Sequence, residues 1–207
     1  MIEPAAFALF LGGALLLNVT PGPDMAFTLA SATRGGTRAG LAAALGVGAG
    51  SLGWAAATAA GLAAVLAASE HAMTVIRLVG GAYLLFLAVR ALTENEAPPV
   101  AEGASGVVAS FRAGALTNLF NPTVGLFYLA FLPGFASPAA GSVALQTFLL
   151  GAVFSITGTC ILMLVASAAG AVRERLVQSR RMRRALKAFT ASVFGGLGFY
   201  LLLSRAR

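Results

Sequence analysis

Apolar residues fill six stretches of the chain, at about 4–30, 39–68, 72–92, 111–132, 142–170 and 186–204, and each is long enough to cross a bilayer as a helix. The first is interrupted by Asn18-Val19-Thr20-Pro21-Gly22-Pro23-Asp24. Pro21 and Pro23 carry no backbone N–H, so the carbonyls of Leu17 and Val19 are expected to lose their helical partners, while Gly22 lets the chain turn. In hydrocarbon such carbonyls are tolerated only where protein, water or a substrate meets them. A break followed at once by an acid therefore marks a site and not merely an anchor.

The fourth stretch contains a second proline break, and the two halves of the chain resemble each other around it. Gly13-Ala14-Leu15 precedes Pro21 by the spacing at which Gly114-Ala115-Leu116 precedes Pro122, which aligns Thr20-Pro21 with Asn121-Pro122. Leu45-Gly46 and Gly53 match Leu150-Gly151 and Gly158, and Gly80-Gly81 with Arg90-Ala91 match Gly195-Gly196 with Arg205-Ala206. The polar segment 93–110, with Glu94, Glu96, Pro98, Pro99, Glu102 and Gly103, separates the halves. Three helices per half is an odd number, so the second half enters from the opposite side. The expected fold is an all-α integral membrane protein of six transmembrane helices. Two inverted three-helix repeats, 1–92 and 111–207, each have a first helix broken at proline, and the site lies at their interface.

Composition agrees with the pattern: of 207 residues 58% are hydrophobic and 10% charged, and the mean hydropathy is +0.88. The formal net charge of +7 raises the question of nucleic acid. Its source is largely one segment, Arg173, Arg175, Arg180, Arg181, Arg183, Arg184 and Lys187, which flanks apolar spans without aromatic interleaving. That placement favours anionic lipid headgroups and topology control over nucleic acid. Arg34, Arg38, Arg90 and Arg112 fall on the same side of the membrane as this cluster, leaving only Arg77, Arg205 and Arg207 opposite. The basic connections and the 93–110 linker are then cytoplasmic, with both termini outside. Ala30-Ser31-Ala32 imitates a signal-peptidase site, but Glu3 replaces a basic n-region and Pro21 to Asp24 would lie before the cut, so the first stretch is read as a real span. Cys160 and His71 are the only residues of their types, which leaves no internal disulfide and no Cys/His metal cluster.

The candidate chemistry sits at the breaks. Asp24 is the only acid expected deep within a span, and a charge-capable group at that depth is a functional candidate, although a carboxylate also caps loose N–H groups. Burial disfavours its charge and a following half-helix favours it, which leaves its protonation state open. Thr20 before Pro21 and Asn121 before Pro122 each read as an N-cap with proline at the first helical position. Two half-helix N-termini would then hold an anion such as a carboxylate, while Asp24 and the freed carbonyls accept from an ammonium. That pairing fits a zwitterion. Asn18 and Asn118 suit a zwitterion or a helix pair equally. Gly46, Gly50 and Gly53 with Ser51 read as a helix-packing face. Tyr83, Tyr128, Tyr200 and Trp54 read as packing or interface residues, and Glu70 with His71 as a solvated loop tip.

The N-x-T-P-G-P-D run at Asn18 to Asp24, followed by Arg34-Gly35-Gly36 and a glycine-rich second span, resembles the LysE/RhtB superfamily of bacterial amino-acid exporters. Gly80-Gly81-Ala82-Tyr83-Leu84-Leu85 and Asn118-Leu119-Phe120-Asn121-Pro122 extend the resemblance over the whole chain. It implies a multi-pass protein of the bacterial inner membrane that exports amino acids or related metabolites, driven by the proton or membrane potential. Within it the chain looks more like the threonine, homoserine and leucine branch than the lysine branch. Asparagine is also usual at the Asp24 position in that family, so a carboxylate proton carrier is not a property of every member. The site expected from residues and resemblance together comprises Asn18, Thr20, Pro21, Gly22, Pro23, Asp24, Asn118, Asn121 and Pro122, with Asp24 the proton-coupling candidate. No cofactor is implied. A passive channel for small solutes is the alternative. A membrane enzyme would need a metal-ligand set, a nucleophile with a nearby histidine or a cofactor loop, and the sequence has none of these. Which amino acid is carried, and whether the chain forms a homo-oligomer, are left open.

Overall fold

The computed structural model describes residues 3–68, 72–93 and 102–169, together with Ala188, Ala191, Ser192, Gly195, Gly196, Gly198, Phe199, Leu202 and Leu203. Glu70, His71, the linker residues 94–101 and the basic cluster between 173 and 187 lie outside the described residues, as do the side chains of Tyr83 and Tyr200. Among the described residues every regular element is helical: α1 (Pro4–Val19), α2 (Pro23–Ala68), α3 (Ala72–Thr93), α4 (Val107–Leu119), α5 (Pro122–Leu126) and α6 (Val143–Ser167). Between α5 and α6 run a π-helical turn (Phe127–Phe131) and two 3-10 turns (Leu132–Phe135 and Pro138–Ala140).

Helix α2 has 46 residues, about 69 Å if straight and roughly twice the thickness of a hydrocarbon core. Gly36 resolves the excess. Its φ of 78° and ψ of 173° are not helical, and positive φ is freely open only to glycine. The chain reverses there: a Cβ on Gly40 would overlap Ala32, and Met25 packs with Ala44 and Val47. The helical arm 23–35 therefore folds back on a longer arm, 37–68. This corrects the expected boundaries, because the first helix runs on to Gly35 and the turn is a single glycine rather than a loop over 31–38.

Val143–Ser167 is long and apolar enough to cross a membrane, as is the stretch Pro23–Gly61, most of which is the arm after the turn at Gly36. Val107–Leu119 with Pro122–Phe135 forms a third such span, bent by 51°. The fourth stretch thus begins at Val107 instead of 111, and it is broken before Pro122 as the sequence indicated. Helix α1, with 16 residues, is apolar but about 24 Å long, shorter than a hydrocarbon core.

The long arm of α2 is central, with α4 on one side and α6 on the other. Gly46 lies against the carbonyl of Phe111, and Gly50 against Ala115 and Asn118, so a side chain at either would push α4 away. On the α6 side Ser155 Oγ donates to the Gly48 carbonyl at 2.9 Å, and Ala55 faces Gly151. The small-residue face is thus used for close helix packing, as its spacing indicated. Nearer the α1 end, Phe10, Phe127, Phe131, Phe135 and Phe154 form an aromatic core with ring centroids as close as 4.3 Å for Phe127 and Phe154. The π-turn turns Phe127, Tyr128 and Phe131 all inward. Tyr128 Oη donates to the Gly151 carbonyl at 3.0 Å and is 2.7 Å from Ser51 Oγ, which ties α2, the π-turn and α6 together.

At the end of the short α2 arm the loop before α4 is docked. Ala104 N donates to Ser31 Oγ at 3.3 Å, Ser110 Oγ donates to the Ala104 carbonyl at 3.2 Å, and Gly103 sits on the backbone of Ala30.

Candidate functional site

The first break is closed from within. Thr20 is the C-cap of α1: its N–H donates to the Leu17 carbonyl at 3.0 Å and its hydroxyl to the Leu16 carbonyl at 2.9 Å. The helix restarts at Pro23, with Ala26 N donating to the Gly22 carbonyl at 2.9 Å. This corrects two expectations. Thr20 ends a helix rather than starting one, and the Leu17 carbonyl is not free, because the N–H of Thr20 bends in to take the place that proline vacates. Pro21 and Gly22 are half-buried in the break, and Pro23 is exposed.

Asp24 stands in the first turn of the new helix, where the exposed N–H groups favour a carboxylate. Its Oδ2 accepts from Asn118 Nδ2 at 2.7 Å and its Oδ1 from Asn121 Nδ2 at 3.3 Å. Both partners are neutral amides from the other half of the chain. Asn118 is the penultimate residue of α4, and Asn121 N donates to the Asn118 carbonyl at 3.0 Å across the second break. Asn121 behaves as its sequence position indicated: its Oδ1 caps α5 by accepting from Thr123 N at 3.0 Å, with Pro122 at the first helical position. One planar amide therefore caps its own helix with its oxygen and holds Asp24 with its nitrogen.

Asn18 is elsewhere. Its Nδ2 donates to the Phe154 carbonyl at 3.1 Å and to Thr157 Oγ1 at 3.0 Å. A Cβ on Gly158 would overlap its amide. It serves as the bolt between α1 and α6, the helix-pair alternative of the sequence reading. Pro122 is exposed and lines, with Trp54, Leu119, Asn121, Gly125 and Leu129, an apolar groove of about 300 Å³.

Sequence reasoning does not single out Thr28. It is fully buried, and its Oγ1 has no partner among the described residues. The available signal is its spacing of four from Asp24, which puts both on one helix face. Among the described residues no group of His, Cys, Asp and Glu side chains could hold a metal ion.

The model of the LysE type translocator family matches residues 15–205 of the chain. An uncharacterized membrane protein of Vibrio cholerae serotype O1 is 29% identical over 143 residues, covering 68% of each chain. No solved structure matches. The match takes in both proline breaks, Asp24 and the two amides that hold it, and by it this membrane protein belongs to the LysE type translocator family.

Proposed function

We propose that the protein is a secondary transporter that exports amino acids or related zwitterionic metabolites from the cytoplasm, coupled to the proton or membrane potential. The observation that carries this reading is the carboxylate of Asp24, placed at one helix break and held by two amides at the other. A lone carboxylate between two breaks meets a substrate ammonium or exchanges a proton, and the amides N-terminal in the short α2 arm face the substrate carboxylate. The proposed architecture is two inverted three-helix repeats around this point, in the bacterial inner membrane with both termini outside. Two contacts of like kind support it: Gly53 lies against Leu119, and Gly158 against Asn18, each a glycine of a long helix on the last turn before a break.

The test is efflux from loaded proteoliposomes across an amino-acid panel, with and without an imposed proton gradient. Accumulation against a gradient and substrate counterflow are expected. Equilibration without counterflow would make the protein a passive channel. Orientation is checked by an impermeant thiol reagent on single cysteines in a Cys160→Ser background. A cysteine at Ser179 is expected to be silent from outside intact cells, and its labelling from there would reverse the topology.

A further inference from the structure

Two residues that neighbour Asp24, one bonded to it and one a helical turn from it, each carry a polar atom with no partner among the described residues, Asn118 Oδ1 and Thr28 Oγ1. Asn118 is 2% exposed and Thr28 0%. The first belongs to the same amide whose nitrogen donates to Asp24. The second lies one turn along the same unbroken arm, so its Cβ is about 5–6 Å from that of Asp24 on the shared face. The two residues thus neighbour Asp24 from either half of the chain, and Asn118 Oδ1 also lies against Gly50 of the long α2 arm.

Thr28 is unlike the threonines that only need to be satisfied in an apolar helix. Thr117, Thr157 and Thr159 each fold the hydroxyl back onto the carbonyl four residues earlier, at 2.8, 2.8 and 2.7 Å. Thr28 leaves that option unused while fully buried. Buried polar atoms without partners are uncommon and are tolerated where something else supplies the bond. The other such atoms, on Trp54, Thr58 and Thr147, have no ionisable residue within a helical turn of them in the sequence.

We infer that Thr28 Oγ1 and Asn118 Oδ1 complete, with the Asp24 carboxylate, a three-acceptor cradle for a primary ammonium group. This rests on the proposed transport reading and adds a residue and a selectivity to it. A primary ammonium has three N–H donors and no acceptor. The cradle offers a carboxylate, an amide oxygen and a hydroxyl oxygen, and Asp24 supplies the opposite charge. A secondary ammonium brings one donor fewer and sets a methyl against one of the acceptors, leaving that atom unpaired, which is the strongest form of discrimination a polar site has.

Purified protein in detergent is tested by ligand-induced thermal shift with L-leucine, N-methyl-L-leucine and 3-methylbutylamine, probes whose apolar tails suit the apolar walls near Asn121. Leucine and the amine are expected to stabilise the protein, and the N-methyl compound to bind about tenfold or more weakly, the worth of one bond to a charged group. Thr28→Val is expected to lose that discrimination and to weaken leucine about tenfold, whereas Thr28→Ser keeps both. Equal binding of leucine and N-methyl-leucine to the unmodified protein overturns the cradle, as does no binding of any probe or an unaltered Thr28→Val. Should Thr28→Val fail to fold, the N-methyl comparison and Thr28→Ser still decide. The expected binding pattern without movement in proteoliposomes would leave the cradle standing and remove the transport reading. Movement with Thr28→Val unaltered would do the reverse.

Discussion

At the first break the chain satisfies itself: Thr20 closes both Leu16 and Leu17, Gly22 opens the next helix, and the side chain left over is a carboxylate. At the second, Asn121 closes α5 with its own oxygen, and the groups that reach Asp24 are the amide nitrogens of Asn121 and Asn118. Each break contains a proline at the start of a helix, Pro23 in one and Pro122 in the other, yet in the direct contact between them one contributes the accepting carboxylate and the other the donating amides. Similar backbone devices in the two halves carry complementary chemistry, and the contact at Asp24 needs both breaks.

That division of labour is easiest to break at Asp24. Asp24→Asn keeps the shape and removes the charge. If the group carries the proton, gradient-driven export is lost while exchange of substrate survives; if it holds the ammonium, apparent affinity falls in both assays. The loss of a charge-assisted bond is worth about 1.5–3 kcal/mol, or roughly one to two decades. Unchanged export and affinity at normal membrane levels would reduce Asp24 to a helix cap. The donor side comes next. Asn118→Leu strips Oδ2 of its 2.7 Å partner and is expected to weaken substrate affinity about tenfold, since a buried acceptor left unpaired costs about 1–3 kcal/mol. Affinity equal to the unmodified protein would show that Asn121 alone suffices.

Asn18→Ala sharpens the contrast from the other direction. It removes the bolt to α6 and is expected to lower thermal stability by about 1 kcal/mol per lost hydrogen bond, with apparent affinity unchanged in the inserted protein. A selective loss of affinity would bring Asn18 into the site. The smallest effect is expected from Thr20→Val, which deletes the exposed hydroxyl bond to Leu16 and costs about 0.5–1 kcal/mol in a melting measurement. Transport in that variant should match the unmodified protein.

The breaks themselves are legible in the sequence because proline leaves no alternative way to continue the helix. Asn121 is legible too, since an asparagine before a proline has one local use. Thr20 misleads for a physical reason: two prolines two residues apart offer two places to restart, and the cap rule prefers the threonine. The structure restarts at the second because the Thr20 hydroxyl and N–H both fold back onto α1. Asn18 and Asn118 are indistinguishable as residues in context, and only the packing of α1 on α6 and of α4 on the short α2 arm separates a bolt between helices from the amide that holds Asp24. The turn at Gly36 is blurred by the polar residues around it, Arg34, Thr37 and Arg38, which read as loop although Arg34 and Thr37 lie on the helical arms on either side.

Gly22 and Gly36 bound a stretch of about 13 helical residues, roughly 20 Å of rigid rod. Asp24 rides at one end and Ser31 near the other, where the loop at Ala104 grips it. The loop and the carboxylate are thus joined by one continuous helical segment, with no relay of charges or side chains needed between them. A change in the length of the connection before α4 is therefore expected to shift Asp24, as the movement of one end of a lever is felt at the other, and a thiol-labelling rate at a cysteine placed beside Asp24 would register it.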